Sequence, residues 1–274
     1  MPPNSERLPI VDTLKKFAVE IILLPLTYRG ATGELNTFAN VLYTFDVIKY
    51  LGKNLDVDRI LILDPDCVWN RSAGSLEAVI DRHGACFYDT GYPPDQDNNG
   101  LSRRQLQEIS DAMSGTATEK LPVFVGGEFY AVTAKENRRI AAAIDPYLAR
   151  NDVLRAAGKP HLITEEHFYS LWARHFGYDT RLAASYIKRI WTTFRYRNAE
   201  AADLELTIWH LPSEKRTGLA ALFRELRSAR TRFWTIPAGD EFARYVGSFC
   251  GVPNPSKAKL AFDALDRLVA RLVP

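Results

Sequence analysis

An α/β fold with a mixed sheet flanked by helices is what the sequence predicts, and two observations predict it. Short apolar runs of strand length alternate along the chain with longer stretches whose apolar residues recur every three or four positions. One of the short runs, Arg59-Ile60-Leu61-Ile62-Leu63, ends abruptly in Asp64-Pro65-Asp66. Ile and Leu bounded by charge read as a buried strand, and open α/β sheets bind ligands at the carboxyl ends of their strands. Two carboxylates one residue apart repel each other unless something positive sits between them. A divalent cation, Mg²⁺ or Mn²⁺, held by hard oxygen ligands meets that need. The structural alternative is an Asp-Pro turn with both carboxylates in water, and a three-residue pattern does not choose between the two.

The chain of 274 residues is long enough for one large α/β domain, alone or with a helical appendage. Its 46% hydrophobic and 25% charged content is that of an ordinary globular protein, so disorder is not expected. A net charge of +2, with Lys and Arg spread along the chain, gives no footprint for a nucleic-acid partner. Cys67, Cys86 and Cys250 are odd in number, far apart and not in metal-ligand spacing. They predict reduced thiols and a cytoplasmic protein. Residues 1–16 are polar and broken by prolines, unlike a signal peptide, and the apolar stretch 17–26 is too short to span a bilayer and contains Glu20.

Taken in order, the patterning predicts a helix tail over 11–17 and a strand over 19–24. A helix follows over 35–51, where Leu35, Phe38, Leu42, Phe45 and Ile48 fall on one side. Residues 60–63 form the strand before the acidic pair, 75–82 a short helix, and 85–88 a strand ending at Asp89. Residues 91–100, with Pro93-Pro94 and Asn98-Asn99, read as a mobile polar loop. A helix over 103–113 leads to strands at 123–125 and 129–132 around Gly126-Gly127. A helix over 135–150 has Pro146 as a potential break, and the next, over 164–176, has Thr164 as its N-cap. A strand over 204–209 ends at His210, and the remainder is helical, with a regular apolar period over 260–272.

The order of these parts resembles the GT-A glycosyltransferases, and within them the family-8-like, retaining group, over about residues 35–218. Asp58-Arg59-Ile60-Leu61-Ile62-Leu63-Asp64-Pro65-Asp66 resembles that family's D-x-D strand, which implies metal ligands at Asp64 and Asp66. Ala85-Cys86-Phe87-Tyr88-Asp89 is similar to the next family strand, which places Asp89 among the cofactor-binding residues. Phe124-Val125-Gly126-Gly127-Glu128-Phe129 resembles the strand whose small-residue pair, here Gly126 and Gly127, lies under the donor sugar. Thr164-Glu165-Glu166-His167-Phe168 is similar to an acidic helix start beside the reacting carbon, which implies catalytic roles for Glu165 and Glu166. Ile208-Trp209-His210-Leu211-Pro212-Ser213-Glu214-Lys215 resembles the late H-x-x-G-x-K segment, making His210 the third metal ligand and Lys215 the residue that reaches the diphosphate.

The resemblance implies a Rossmann-like nucleotide-diphospho-sugar transferase fold, with a catalytic domain over 1–218 and a helical C-terminal extension over 219–274 packed on it. It implies hexosyl transfer from a nucleotide-sugar donor, with UDP expected, to an unidentified acceptor, with Mn²⁺ or Mg²⁺ as cofactor. Neither a nucleic-acid partner nor a transmembrane segment is expected, and homo-oligomer formation is left open. Each assignment has a bland counterpart. His210 could be a packed core residue, Lys215 a solvated charge, and Gly126-Gly127 a tight bend. Glu165 and Glu166 suit a first helical turn through the macrodipole alone. Two carboxylates there, in place of the amide and carboxylate usual in retaining members, also resemble inverting enzymes, so the stereochemical outcome stays open. The N-terminal βα unit that builds the nucleotide platform is shortened: it is absent, or the sequence starts late, or a partner completes the site. Two other classes remain, a haloacid-dehalogenase-like phosphatase with Asp64 as nucleophile and an inactive GT-A relic that binds sugar or scaffolds. Tyr88, Tyr92, Trp172, Trp191, Phe194 and Tyr196 could stack on an acceptor, and Arg195 and Arg197 could bind an anionic one, or all could be ordinary core and surface residues.

Overall fold

A computed structural model describes residues 14–15, 17, 19–30, 40–54, 56–257, 259–261 and 263–264. The expected helix tail at 11–17, the beginning of the 35–51 helix with Leu35 and Phe38, and most of the 260–272 helix fall largely outside these residues. The elements that follow are α1 (Tyr43–Asn54), β1 (Arg59–Leu63), β2 (Cys67–Trp69), α2 (Gly74–His83) and β3 (Ala85–Asp89). Then come α3 (Arg103–Ser114), β4 (Val125–Thr133), α4 (Ala134–Ala156), α5 (Glu165–Phe176) and β5 (Ile187–Arg189). β6 (Ile208–His210), α6 (Gly218–Leu226) and α7 (Asp240–Cys250) complete the set.

The fold is α/β with mixed strand pairing in two small sheets. The first has the order β1-β4-β3, with β4 antiparallel to both neighbours. The second has the order β2-β6-β5, with β6 antiparallel to β2 and parallel to β5. The chain leaves the first sheet at Leu63 and enters the second at Cys67, so the acidic pair occupies the turn between sheets. On one face of the first sheet, Phe87 and Tyr130 pack with Phe45 of α1 and Phe168 and Trp172 of α5. The other face buries Leu76 and Ile80 of α2 against Cys86 and Phe129. A third cluster joins Trp209 and Leu211, beside β6, to Leu222 of α6 and Val246 of α7, so the C-terminal helices share a core with the second sheet.

Local chemistry explains the boundaries. α3 opens with a capping box: the Gln105 N–H donates to Ser102 Oγ at 3.3 Å, and the Ser102 N–H donates to Gln105 Oε1 at 2.8 Å. α4 runs through Pro146 rather than breaking there. Ile140, Ile144, Tyr147 and Asn151 bury one face on both sides of the proline, and that packing offsets the lost backbone bond.

Several expected elements differ. Residues 19–24 form no strand, because no described strand pairs with their backbone; Val19, Ile22 and Leu23 stay exposed. The strands expected at 123–125 and 129–132 are one continuous β4 that passes through both glycines. The strand expected over 204–209 is confined to Ile208–His210. Before it the chain makes a 3₁₀ turn, where the Asp203 carboxylate accepts the Glu200 N–H at 2.8 Å and the Asp203 carbonyl accepts the Trp209 indole N–H at 2.6 Å. β2 and β5, three residues each, had no signal in the patterning.

Candidate active site

Asp64, Asp66 and His210 come together, with one ligand atom from each within 4.8 Å of the others. The register of the second sheet does this: Cys67 is the pairing partner of His210, and the Leu211 N–H donates to the Asp66 carbonyl at 3.0 Å. His210 Nε2 lies 3.3 Å from Asp66 Oδ2 and 3.7 Å from Asp64 Oδ2. Lys215, just past a 3₁₀ turn at Pro212–Glu214, reaches back to put Nζ 3.1 Å from Asp66 Oδ2. Asp66 is 2% exposed, yet neither of its carboxylate oxygens has a directed hydrogen bond.

The electrostatics fit a cation site. Burial, reinforced by Asp66 and Glu128 against the pull of His210, holds the Asp64 carboxyl above its ordinary value. For Asp66 burial acts in the same direction, but His210 and Lys215 outweigh it and the net shift is downward. Burial pulls His210 down, whereas Asp66 and Glu128 raise it to about 9, so without an ion the protonated ring supplies the positive charge among the carboxylates, and a bound cation would take the place of its Nε2 proton. Two hard oxygen donors and an imidazole around one point suit a divalent ion of the Mn²⁺ or Mg²⁺ kind, whose ligand atoms stand up to about 4–5 Å apart. Asp66, buried and without a directed donor, is the acceptor such an ion would satisfy.

Asp64, His210 and Lys215 line a cleft of about 420 Å³ together with Gly127, Glu165 and Glu166. The two glutamates differ sharply. Glu166 accepts four hydrogen bonds. Oε1 takes the Gly127 N–H at 3.1 Å and Arg189 Nη2 at 2.6 Å, while Oε2 takes the side-chain amides of Asn98 and Asn99, each at 3.0 Å. Glu165 has an unpartnered Oε2, and burial, then the charge of Glu166, raises its carboxyl well above the ordinary value. Glu165 is therefore the one with an oxygen to offer a ligand.

Thr164 occupies the N-cap position of α5, but its hydroxyl makes no capping bond. His167, at the third helical position, supplies the reciprocal half of a capping box: Nδ1 accepts the N–H groups of Ile163 and Thr164, both at 3.2 Å, and Nε2 lies 3.0 Å from the Asn98 carbonyl. That pattern fixes a neutral ring with its proton on Nε2, in agreement with burial lowering the His167 pKa. The loop expected to be mobile is thus held to the start of α5 at Asn98 and Asn99, the latter in the left-handed region at φ 54°.

The glycine pair serves close packing. A Cβ on Gly126 would fall 2.2 Å from Glu128 Oε2, and one on Gly127 would fall 2.4 Å from Glu165 Oε1. Gly127 lines the cleft, whereas Gly126 makes room for a carboxylate beneath it. Asp89 ends β3 away from the cleft lining, and its Oδ1 accepts the Gly91 N–H at 2.8 Å in a turn. Among the aromatic residues, Trp191 and Tyr92 line the cleft and Phe194 and Tyr196 are exposed, but Trp172 is core and Tyr88 is buried. Arg197 donates to the carbonyls of Thr192 and Gly251, and Arg195 lies over the Tyr196 ring.

Sequence reasoning missed Glu128 and Arg189. Glu128 is 1% exposed in the middle of β4, and Arg189 ends β5. They pair bidentately, Nε to Oε1 at 2.8 Å and Nη2 to Oε2 at 2.5 Å. A lone Glu inside an apolar strand was the available signal, since a buried charge requires a partner.

No protein-family model matches the chain, and no curated protein matches it in sequence. Among solved structures it is similar to mouse xyloside xylosyltransferase 1 in its apo form, with a TM-score of 0.40 and 12% sequence identity. That similarity covers 67% of this chain and 66% of the other, just under two thirds of its length.

Proposed function

We propose that the chain is a metal-dependent glycosyltransferase of the GT-A type, moving a sugar from a nucleotide-diphosphate donor, with UDP the expected nucleotide, to an acceptor whose identity is open. One observation carries the reading: Asp64, His210 and Lys215, grouped with the buried Asp66, line the same cleft as Glu165, whose Oε2 has no partner. Asp64, Asp66 and His210 would hold Mn²⁺ or Mg²⁺, the imidazole favouring Mn²⁺, and the ion would supply counter-charge to a departing diphosphate. Lys215 adds a second positive charge at the same wall, placed before the reaction begins. Glu165 faces the space where the sugar would lie. Its carboxyl, raised by burial first and Glu166 next, could give a proton or hydrogen bond to a sugar oxygen; the retaining, hexosyl-transferring outcome rests on the motif resemblance alone. Glu166 holds Gly127, Arg189 and the Asn98-Asn99 loop in place around that space. Gly127 brings the backbone of β4 to the cleft floor.

A second reading is a sugar-binding module without turnover. It is favoured by residues 19–24, which build no strand for a nucleotide platform. The phosphatase reading has less support, because the group beside Asp64 and Asp66 includes a histidine and the Glu165-Glu166 pair opens a helix. The cysteines are free and burial raises their thiols, Cys86 to about 12; the cytoplasmic setting is our inference from their odd number and wide spacing. Among the described residues no helix is long and apolar enough to cross a membrane.

The test is a thermal-shift screen of nucleotide sugars with and without Mn²⁺, followed by measurement of nucleotide release. Stabilisation that requires both metal and nucleotide, with release of UDP, supports the transferase. Metal-linked binding without release on any acceptor or water leaves the binding module. No metal-linked stabilisation by any nucleotide overturns both.

A further inference from the structure

His210 stands between two sets of carboxylates, and its two nitrogens face different ones. Nε2 points to the ligand group, toward Asp64 and Asp66. Nδ1 faces the other way, 3.1 Å from Glu128 Oε1, within ion-pair reach but without a directed hydrogen bond. Glu128 cannot swing toward the cleft to become a ligand itself, because Arg189 clamps both of its oxygens. Arg189 is fixed in turn by Glu166 Oε1 at 2.6 Å and the Tyr92 hydroxyl at 3.1 Å. The sequence makes room for this arrangement, since any side chain at Gly126 would collide with the Glu128 carboxylate.

We propose that Glu128, clamped by Arg189, is the positioning residue of the metal site: it takes the Nδ1–H of His210 and so leaves the Nε2 lone pair for the cation. This rests on the metal-binding reading given above. A neutral imidazole keeps one proton, and the nitrogen that keeps it cannot ligate. A carboxylate at Nδ1 decides which nitrogen that is and orients the ring, the arrangement by which outer groups tune metal ligands. Arg189 makes the carboxylate's position independent of the ion, because its guanidinium fork matches both oxygens. The clamp also ties Glu128 of β4 to the start of α5, since the same Nη2 touches Glu128 and Glu166.

The experiment uses the full chain and Mn²⁺ alone. Mn²⁺ affinity is measured by calorimetry for the unmodified protein, Glu128→Gln and His210→Gln, each with its melting temperature. The expected result is an affinity lower by about 10- to 100-fold in Glu128→Gln. The His210→Gln variant should lose more. Because Glu128→Gln leaves Arg189 with one carboxylate fewer and could fail to fold, a second measurement stands apart from it. Nitrogen NMR of ¹⁵N-histidine-labelled unmodified protein, loaded with Zn²⁺ as a diamagnetic ion, should show His210 metal-bound at Nε2 and protonated at Nδ1. A folded Glu128→Gln with unchanged affinity, or a metal bound at Nδ1, overturns the positioning role while leaving the metal site intact. Absence of saturable Mn²⁺ binding by the unmodified protein overturns the metal reading itself, and the positioning role with it.

Discussion

Asp66 Oδ2 and His210 Nε2 stand 3.3 Å apart because the turn that carries Asp66 from one sheet to the other runs straight into β2, which pairs with β6. Asp66 immediately precedes β2, and His210 is paired with the first residue of that strand. Two residues far apart in sequence are therefore held together by backbone hydrogen bonds rather than by their side chains. A site built this way keeps its geometry when a side chain is changed, so single substitutions can be read as chemistry.

On that basis Asp64→Asn and Asp66→Asn should each remove metal-linked nucleotide binding. With UDP and Mn²⁺ at about a hundred times their dissociation constant, mass action stabilises a one-site protein by about 2.7 kcal/mol, a shift of roughly 5–10 °C for a chain of this size. Both variants should lose nearly all of it. They should differ without ligand: the Asp64 side chain is 43% exposed and its loss costs little, whereas Asp66 pairs with His210 and Lys215 while buried. Differential scanning fluorimetry checks both, and a full ligand-dependent shift in either variant counts against the ligand assignment.

The two glutamates should separate in opposite directions. The Glu165 carboxyl is raised in the folded state, through burial first and Glu166 next, so the folded protein binds the extra proton more tightly. The stabilisation this gives is fully present below the ordinary value of 4.5 and is lost as pH rises through the folded value. Glu165→Gln removes the titration, so its melting temperature should exceed that of the unmodified protein at pH 7–8, with the gap closing below pH 4.5. Turnover should fall by about 10²-fold. Glu166→Gln should do the reverse of the stability effect. All four groups around that carboxylate are donors, two to each oxygen, so an amide must turn its NH₂ toward two of them. A loss of about 2–4 kcal/mol is expected. Melting curves across pH, with EDTA present, decide the matter.

Gly127→Ala tests the packing of the cleft floor. The new methyl would overlap Glu165 Oε1 at 2.4 Å and crowd Glu166 Cγ at 3.1 Å, so the Glu165 carboxylate must swing away and the Glu166 side chain must give slightly. Overpacking of this kind costs about 1–3 kcal/mol, and activity should fall further than stability. Gly74→Ala is the control: it opens α2, has nothing nearer than 3.9 Å, and should be neutral or stabilising by up to about 1 kcal/mol.

What could be read from the sequence divides along physical lines. β1 and β3, and helices α2, α3 and α5, were legible because each is bounded by charge, a cap or glycine and carries its own period. Asp64, Asp66, His210 and Lys215 could be named because their types suit one cation and one diphosphate, and they lie together in the fold. β2 and β5 were not legible, since three residues carry no periodicity and their pairing is decided by β6. Arg189 was hidden for the same reason. Asn98 and Asn99 looked like loop filler, yet they are buried or part-buried donors to Glu166, a relation that exists only across 67 or 68 positions. Thr164 and the glutamates were explicable by capping and the macrodipole alone, and only the fold shows that His167 fixes the entry to α5 while Glu166 binds Gly127, Arg189 and the Asn98-Asn99 loop.

Lys215→Gln should weaken the donor without weakening the fold. Its side chain is 61% exposed, and its one contact in the site is Nζ to Asp66 Oδ2 at 3.1 Å. Such a pair adds little to stability, since solvent screens it and a long side chain must be held still. In the transferase reading the ammonium exchanges this contact for the donor's diphosphate, where a charged hydrogen bond is worth about 1.5–3 kcal/mol. The expected cost is therefore about 10- to 100-fold in kcat/KM. If the lysine binds the diphosphate equally in the ground and transition states, the loss falls on KM; if it acts as charge develops, it falls on kcat. The contribution should also shrink as ionic strength rises, because the site of action is near the surface. Steady-state kinetics of the variant at low and high salt measures all three quantities. An unchanged kcat/KM at low salt would mean that Lys215 serves only to neutralise Asp66.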